Sequence, residues 1–472
     1  MMFRGLLILA YFCFSCIFVS AASINPIGIS GKRFVDTVTG EPFFIKGVDY
    51  QPGGSSEVNS AQDPLSDPDT CARDIILFQE LGINTVRIYS VNPELNHDEC
   101  MTMLGMAGIY LILDVNSPLE NQHLNRYEPW TTYNQDYLEH VFQVVEQFSG
   151  YNNTLGFFAG NEVINDKRSA QYSPPYVKQL IGDMKTYINQ HCDRDIPVGY
   201  SAADDLKYRV PLSKYLECTD KDGKITNVDF YGVNSYQWCG KQTLESSGYD
   251  KLIEAYSDYS KPVFFSEFGC NRVLPRTFDE VKALFSKDMY DVFSGGLVYE
   301  FTQEPNNYGL VDIKEDGSAT ILEDFNQLKN HYKGLALPTK KDFMSAMSKN
   351  EQIEQASMSN LPLCSTKYEN INIITKVAKD LAKPLIKKGI SIEKGHFVDL
   401  DPENLKSKYK FYDNAGGELP SLNSMRIVNN FDSSKGSKDK SRKPKKNETN
   451  KISIVDSVWL CFAIVYIVYQ FV

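Results

Sequence analysis

Two glutamates, each at the end of an apolar run, carry the clearest chemical signal in the sequence. Glu162 closes the run GFFAGNEV (156–163), and Glu267 closes the run PVFFSEFG (262–269). If the two carboxyl groups face each other, one can protonate the leaving oxygen of a glycosidic bond while the other faces the anomeric carbon. A separation of about 5–5.5 Å would make the second carboxylate a nucleophile and retain the anomeric configuration. The pair therefore predicts retaining glycoside chemistry.

Each glutamate also has a structural interpretation, which position alone does not exclude. A buried carboxylate can simply pair with an arginine, and Arg87 could serve Glu267 in that way. Asn161, directly before Glu162, favours catalysis because its amide can bond a sugar 2-hydroxyl in the transition state. Tyr236 could orient the nucleophile or could be an ordinary buried tyrosine.

Motifs for other kinds of chemistry are absent from the sequence. It contains no HExxH, phosphate-binding loop, GxSxG or dinucleotide-binding motif, and its six histidines are scattered singly. We therefore expect carboxylate chemistry that needs no metal and no cofactor.

The elements that must position these carboxylates are eight short runs rich in β-branched and aromatic residues. Helix-like segments separate the runs, for example ARDIILFQELG (72–82), in which the apolar side chains share one helical face. Apolar strands that alternate with helices predict an α/β protein with a parallel sheet, and eight such units favour a (β/α)₈ barrel. An open doubly wound sheet is the alternative, but no glycine-rich turn follows the first run. The runs are 43–50, 85–91, 110–116, 156–163, 197–205, 228–236, 262–269 and 296–302.

The two ends of the chain predict its cellular location. Residues 1–22 resemble a secretory signal, with a basic residue, an apolar run and small residues at the end. Residues 452–472 contain a final uncharged apolar stretch that is shorter than the ~20 residues of a comfortable membrane span. Because a polar spacer (433–451) precedes it, we predict a GPI signal whose tail is removed, with attachment at Asn447. A single membrane span is the alternative.

Charge is distributed unevenly between these segments. The formal net charge of the 472-residue chain is -11, which argues against nucleic acid as a partner. The spacer 433–451 alone carries eight basic and two acidic residues, and we interpret it as a solvated stalk. Between the main domain (23–337) and the spacer, residues 338–432 predict a small, partly helical extension.

Cysteine usage also fits a secreted protein. Three of the ten cysteines lie in the terminal segments that would be removed, and seven remain. None of them forms a zinc-type CxxC pair, so they predict disulfides with one thiol left over. A sequon at Asn152 predicts N-glycosylation.

Seven sequence motifs together resemble those of one known family. They are KGVDYQPGG (46–54), VRIYSVNP (86–93), YLILDVN (110–116), FFAGNEV (157–163), NSYQWCG (234–240), FFSEFGC (264–270) and GGLVYEFTQEPNNYGLV (295–311). Over residues 25–337 the chain resembles the fungal GPI-anchored β-1,3-glucanosyltransferases of glycoside hydrolase family 72. The resemblance implies a retaining barrel enzyme at the cell wall. Such an enzyme cuts a β-1,3-glucan chain internally and joins the new reducing end to the non-reducing end of another chain.

The same resemblance implies roles for individual residues. Glu162 would be the acid/base and Glu267 the nucleophile. The residues that would contact glucan or support the carboxylates are Tyr89, Asn116, Asn161, Asp204, Arg209, Tyr236 and Tyr299. The implied disulfides are Cys71–Cys100, Cys239–Cys270 and Cys218–Cys364, which leaves Cys192 free. A cysteine-rich carbohydrate-binding domain, which some family members carry, is not expected here, because Cys364 is the only cysteine between the barrel and the tail.

Transfer requires Glu162 to hold a proton at rest, which burial beside a second carboxylate would favour. A plain β-1,3-glucan hydrolase would use the same residues, and sequence physics does not separate hydrolysis from transfer. A glucan-binding wall protein without activity is the third alternative. The resemblance favours transfer, with donor and acceptor glucan chains as partners and a GPI anchor as the link to the outer face of the plasma membrane.

Overall fold

A closed barrel of eight parallel strands forms the centre of the molecule, as the sequence predicts. The computed structural model describes residues 24–54, 57–220, 225–343, 362–378 and 380–429. Three short antiparallel strands, β1 (Ile27–Ser30), β2 (Arg33–Asp36) and β3 (Pro42–Phe43), come first. The barrel strands are β4 (Ile45–Asp49), β5 (Thr85–Ile88), β6 (Tyr110–Asp114), β7 (Thr154–Asn161), β8 (Val198–Ala202), β9 (Phe230–Ser235), β10 (Val263–Phe268) and β11 (Phe293–Val298). Pairing of β11 with β4 closes the barrel.

Helices between the strands surround the barrel and bury its outer face. They are α1 (Pro68–Leu81), α2 (Asp98–Met106), α3 (Pro129–Thr132), α4 (Gln135–Phe148), α5 (Lys167–Tyr172), α6 (Pro174–His191), α7 (Leu206–Glu217), α8 (Leu244–Ser247), α9 (Tyr249–Tyr256), α10 (Glu280–Leu284), α11 (Lys287–Tyr290) and α12 (Glu323–Lys333). Because both faces of the sheet are covered, the strands consist almost entirely of buried residues.

Local sequence signals explain where the first helix begins and ends. The Asp67 side chain accepts a hydrogen bond from the backbone N–H of Asp69, and Pro68 occupies the first turn, where its missing N–H costs nothing. Gly82 ends the helix with φ = 77°, a left-handed conformation that glycine adopts without a Cβ penalty. This helix carries Cys71 and so fixes one end of a disulfide.

An aromatic cluster fills the end of the barrel at which the strands begin. Phe34 of the N-terminal hairpin packs against Phe230 and Phe264, with ring centroids 5.6 and 5.9 Å apart. Phe158 completes the cluster, 5.2 Å from Phe230. All four rings are fully buried, so the hairpin forms an apolar plug beneath the barrel.

Three disulfides connect the elements, and they are the pairs that the resemblance implies. Cys71–Cys100 joins α1 to α2, and Cys239–Cys270 joins the loops that follow β9 and β10. Cys218–Cys364 links the end of α7 to the extension. Cys192 is unpaired and partly buried.

The extension has helical residues at 340–343 and a short helix further on. Within residues 362–378 and 380–429, the only α-helix is α13 (Lys383–Lys388), followed by a 3₁₀ turn (Pro402–Leu405). One short strand, β14 (Phe411–Tyr412), pairs with β13 (Ala319–Ile321), which itself forms a hairpin with β12 (Val311–Ile313).

Backbone groups of the extension bond instead to the outer helices of the barrel. The N–H groups of Val428 and Asn429 donate to the carbonyl of Met106 at the end of α2. The extension also passes close to the barrel at Gly395. A Cβ on this residue would lie 2.2 Å from the Tyr151 ring, so only glycine permits the contact. Contacts with the barrel therefore contribute to the order of these parts of the extension.

Several sequence predictions fall on residues that the structure does not describe. The signal segment (1–22), the basic spacer (433–451), the apolar tail (452–472) and the attachment residue Asn447 all belong to this group. Among the described residues, no helix has the length and apolar character needed to cross a membrane. Asn152 of the sequon is half-buried in the turn that leads into β7.

Candidate active site

A cleft lies beside the carboxyl ends of β5, β6 and β7. The cleft encloses about 710 Å³, a size typical of ligand sites, and Tyr89, Asn116 and Asn161 lie in its wall. Glu267 lies in β10, and Glu162 directly follows β7. Parallel strands in a barrel place such residues at one mouth, which is where catalytic side chains of this architecture are found.

Glu267 is buried and held by three donors. The residue is only 6% exposed to solvent. Oε1 accepts a hydrogen bond from the Tyr89 hydroxyl at 2.9 Å and one from Nη1 of Arg87 at 3.3 Å. Oε2 accepts a hydrogen bond from the Tyr236 hydroxyl at 2.7 Å. The orientation of this carboxyl group is thus fixed before any ligand binds.

Burial dominates the electrostatics of Glu267. It raises the pKa of this carboxyl to about 7, although the charge of Arg87 opposes the rise. The negative charge of Glu162 raises the pKa further, whereas the hydrogen bonds from Tyr236 and Tyr89 lower it. Burial and the nearby carboxylate also raise the pKa of Tyr236 well above its usual value, so its hydroxyl stays a donor at neutral pH.

One guanidinium group faces three carboxyl groups beneath the cleft. Arg87 donates to both oxygens of Asp114, at 2.8 and 3.2 Å, and lies 3.9 Å from Asp49 as well as 3.3 Å from Glu267. Burial would lower the pKa of Arg87, but Asp114, Tyr89 and Asp49 together hold it well above its usual value. The arginine is therefore charged, and it cannot neutralise three ionised neighbours.

Asp49 is the group in this cluster that has no hydrogen bond. It is fully buried at the end of β4, and neither of its carboxyl oxygens has a hydrogen-bond partner among the described residues. Burial raises its pKa well above the usual value, and the charges of Glu267, Asp114 and Glu300 add to this effect. The charge of Arg87 opposes the rise, and the raised pKa favours the protonated form of Asp49.

Glu162 has a different environment from Glu267. Its backbone adopts φ = 49°, a left-handed conformation that is uncommon for residues with a side chain and typical of functional sites. Its Oε1 accepts a hydrogen bond from Nδ2 of Asn234 at 2.8 Å. The expectation that Glu162 is buried is not met: Glu162 is half-buried, and Glu267 is the buried member of the pair.

Asn234 connects the two glutamates, and sequence reasoning missed this role. It is opposite Glu267 in the pairing of β9 with β10, and its amide donates to Glu162. Hydroxyl groups of Ser201 and Ser266 donate to its Oδ1, at 3.1 and 2.8 Å, which fixes the orientation of the amide. Asn161 lies beside it, since its Oδ1 accepts a 3.4 Å contact from the same amide.

Asp204 and Arg209 support the cleft from behind. They form an ion pair at 2.8 Å, and the other Asp204 oxygen accepts a hydrogen bond from the backbone N–H of Tyr236. Arg209 is 1% exposed and also donates to the carbonyl of Asn234. These contacts position Tyr236 and Asn234, and Arg209 is buried behind them whereas Asp204 is exposed.

The remaining predicted site residues line the mouth. Nδ2 of Asn116 donates to the carbonyl of Ala159, and its Oδ1 accepts from the Tyr137 hydroxyl, so the side chain is held in place. Tyr299 packs edge-on against three other tyrosine rings at centroid distances of 5.2–6.4 Å. Those rings belong to Tyr89, Tyr236 and Tyr308. All four tyrosines are half-exposed and offer aromatic surface around Glu267.

Two signals could have revealed the missed residues. Asp49 and Asn234 each interrupt an otherwise apolar strand near its carboxyl end, which is where barrel enzymes place polar groups. The run that contains Asn234 also supplies Tyr236, so two polar site residues come from the end of one strand.

Comparison with known proteins gives a consistent result. The family model described as glucanosyltransferase, of glycoside hydrolase family 72, matches residues 16–336. The chain is 66% identical to 1,3-beta-glucanosyltransferase GAS4 of Saccharomyces cerevisiae over 395 residues, or 84% of this chain and 82% of that protein. It is 46% identical to 1,3-beta-glucanosyltransferase gel2 of Aspergillus fumigatus over 402 residues, again 84% and 82%.

A solved structure with bound sugar also resembles the chain. Saccharomyces cerevisiae Gas2p in complex with laminaritriose and laminaritetraose superposes with a TM-score of 0.67 and 38% identity. The similarity covers 76% of this chain and 78% of Gas2p.

Proposed function

The chain belongs to the glucanosyltransferases of glycoside hydrolase family 72, and we propose that Glu267 is its nucleophile and Glu162 its acid/base. It is a 1,3-β-glucanosyltransferase that acts by a glycoside hydrolase type of mechanism. The observation that carries the assignment of roles is the contrast between the fixed, buried Glu267 and the accessible Glu162 at one mouth.

In the first step Glu267 attacks the anomeric carbon of a β-1,3-glucan chain. Its Oε2 accepts only the Tyr236 hydrogen bond among the described residues, so a lone pair remains for the attack. The bond between that carbon and the glycosidic oxygen breaks, and Glu162 gives its proton to the departing oxygen. The products of this step are a covalent glycosyl-enzyme and a shortened chain with a free 3-hydroxyl group.

In the second step Glu162 acts as a base. It takes the proton of the 3-hydroxyl at the non-reducing end of an acceptor chain, and that oxygen displaces Glu267 from the anomeric carbon. Two displacements at one carbon restore the β configuration and lengthen the acceptor. Asn234 keeps a hydrogen bond to Oε1 of Glu162, which leaves the other oxygen available for the proton in both directions.

The charge on Glu162 affects the pKa of Glu267 during this cycle. When Glu162 holds a proton, it no longer repels a charge on Glu267, so the pKa of Glu267 falls and the nucleophile ionises. When the glycosyl-enzyme forms, Glu267 is esterified and uncharged, so Glu162 is the one glutamate of the pair that can accept the proton of the acceptor.

Transfer competes with hydrolysis of the glycosyl-enzyme. The tyrosine rings at positions 89, 236, 299 and 308 offer faces on which sugar rings can stack, and an acceptor held there displaces water from the reacting carbon. The names of the relatives favour transfer over the alternative of plain hydrolysis.

The test is incubation with a reduced laminari-oligosaccharide. Products longer than the input are expected from the wild-type chain, and products that are only shorter would contradict transfer. Glu267→Gln is expected to form no glycosyl-enzyme. Glu162→Gln should still form one from an aryl laminari-oligosaccharide, because a good leaving group needs no acid. In that variant the acid limb of the glycosylation rate should move to lower pH, since one cause of the raised pKa of Glu267 has been removed.

We propose further that the enzyme works at the outer face of the plasma membrane and in the cell wall. This proposal is supported by the secretory signal pattern, the disulfides and the pattern of residues 433–472. A GPI anchor attached at Asn447 would be released from intact cells by a phosphatidylinositol-specific phospholipase. Retention of the protein after that treatment would contradict the anchor.

A further inference from the structure

An exposed aromatic pair stands on the rim of the cleft. Trp130 is 51% exposed, and it is the only tryptophan or phenylalanine among the strongly exposed apolar side chains of the described residues. Its ring packs against Tyr172 at a centroid distance of 5.4 Å and an interplanar angle of 85°. In a perpendicular pair one ring presents its edge to the other, so aromatic faces stay open to solvent.

The pair lies on loops that also form the cleft. Trp130 is in α3, three residues after Tyr127, which lines the cleft. Chain geometry limits the separation of these two residues to about 11 Å. Tyr172 ends α5, in the connection that follows β7 and Glu162. Both connections leave the carboxyl ends of barrel strands, so the pair is on the same face of the barrel as the two glutamates.

The rim is held rigidly by contacts that do not involve the exposed rings. The Ser173 hydroxyl donates to the carbonyl of Arg126 at 2.6 Å, and the Tyr127 hydroxyl donates to Asp166 at 2.9 Å. The guanidinium of Arg168 lies over the Tyr127 ring, 4.9 Å from its centroid. An exposed aromatic ring on an anchored loop loses little conformational entropy when a ligand stacks on it.

We propose that Trp130 and Tyr172 form a stacking platform for the part of a long β-1,3-glucan chain that passes beyond the cleft. The proposal rests on the proposed function, because it takes β-1,3-glucan as the ligand. A sugar ring presents C–H groups on its faces, which pack on aromatic rings, and a chain that leaves the cleft past Tyr127 meets this surface next. The platform gives the enzyme a preference for long chains that the catalytic residues do not provide.

Kinetics with chains of two lengths tests the platform. Trp130→Ala is expected to raise the KM for a long laminarin fraction roughly three- to tenfold, the worth of one aromatic contact, with kcat unchanged. The KM for laminaripentaose should stay at the wild-type value. Trp130→Phe should keep the KM for long laminarin near the wild-type value. Tyr172→Ala should raise that KM as Trp130→Ala does. Val38→Ala is the matched control, since Val38 is 70% exposed in the N-terminal hairpin at the opposite end of the barrel.

Equal loss on long and short chains, or no loss on either, would overturn the platform. A direct binding measurement keeps this outcome separate from failure of the proposed function. In the Glu162→Gln background, long laminarin should change the tryptophan emission more than laminaripentaose does. That difference should vanish when Trp130→Phe is added, because Trp238 is buried and Trp459 lies in the tail that we predict is removed. If the wild-type chain elongates nothing while the emission difference remains, the transferase assignment fails and the platform stands.

Discussion

The two ends of the barrel differ in the chemical character of their side chains. At the mouth, Arg87 bonds Asp114 and Glu267, and Asn234 bonds Glu162. At the base, Phe34, Phe230 and Phe264 pack with Phe158 in an aromatic cluster. Phe158 also contacts the charged end, because the Arg87 guanidinium lies over its ring, 4.6 Å from the centroid. The same eight strands supply both ends. The comparison teaches that stability is concentrated where strands begin and chemistry where they end, so substitutions at each end should have separable effects.

The largest expected effect is at the mouth. Glu267→Gln should lower the rate of glucan elongation by about 10³-fold or more, because the nucleophile is lost while the shape of the side chain is kept. The midpoint of thermal unfolding should not fall, since a buried carboxyl is replaced by an uncharged group. The rate of longer products and an unfolding curve on the same sample provide the two measurements. Activity near the wild-type level would remove Glu267 from the mechanism.

The converse effect is expected at the base. Phe230→Ala should lower the free energy of unfolding by about 3–5 kcal/mol, the usual cost of a large cavity in a packed core. At temperatures where the variant stays folded, kcat/KM should match that of the wild type. Chemical denaturation followed by assay of the folded protein measures both quantities. A stable Phe230→Ala variant with impaired transfer would break the division between the two ends.

A smaller effect at the mouth tests how the nucleophile is tuned. Tyr236→Phe removes a hydrogen bond to Oε2 of Glu267 and should lower kcat/KM roughly 10- to 100-fold. That hydrogen bond lowers the pKa of Glu267, so its loss raises the pKa and moves the acid limb of the pH profile to higher pH. Tyr259→Phe is the control, because its hydroxyl bonds only the carbonyl of Ser213. An unchanged acid limb in Tyr236→Phe would show that another group sets it.

The smallest expected effect is at Asp49. The raised pKa of this carboxyl favours its neutral form, so Asp49→Asn should leave the pH profile of transfer in place. If Asp49 were ionised, its removal would lower the pKa of Glu267 and move the acid limb to lower pH. A pH series on this variant, with Tyr236→Phe for comparison, distinguishes the two states of Asp49.

Much of the barrel was predictable because its signals are local. Each strand is a short apolar run, and each polar residue that ends such a run, such as Glu162 or Glu267, points to the mouth. What a residue touches across the barrel is not local. The hydrogen bond from Asn234 to Glu162 and the crowding of Arg87 by three carboxyl groups depend on how neighbouring strands are aligned, which no short segment of sequence specifies.

The extension was less predictable for a related reason. Its periodicity around Lys383 predicts helix, and Lys383–Lys388 is helical, but other backbone groups bond to the barrel, as Val428 does with the carbonyl of Met106. Helical periodicity identifies a face that packs, and it does not tell whether carbonyl groups of another element accept the backbone N–H groups.

The closure of the barrel has a consequence for the order of folding. β4 pairs with β11, so Ile45 meets Gly295 only after 250 further residues have been synthesised. The disulfides Cys71–Cys100 and Cys239–Cys270 close loops with sequence separations of 29 and 31, and each can form before the rest of the chain has been synthesised. Cys218–Cys364, with a separation of 146, must wait for the extension. Oxidation of that last pair therefore marks a chain whose barrel and extension have both been synthesised.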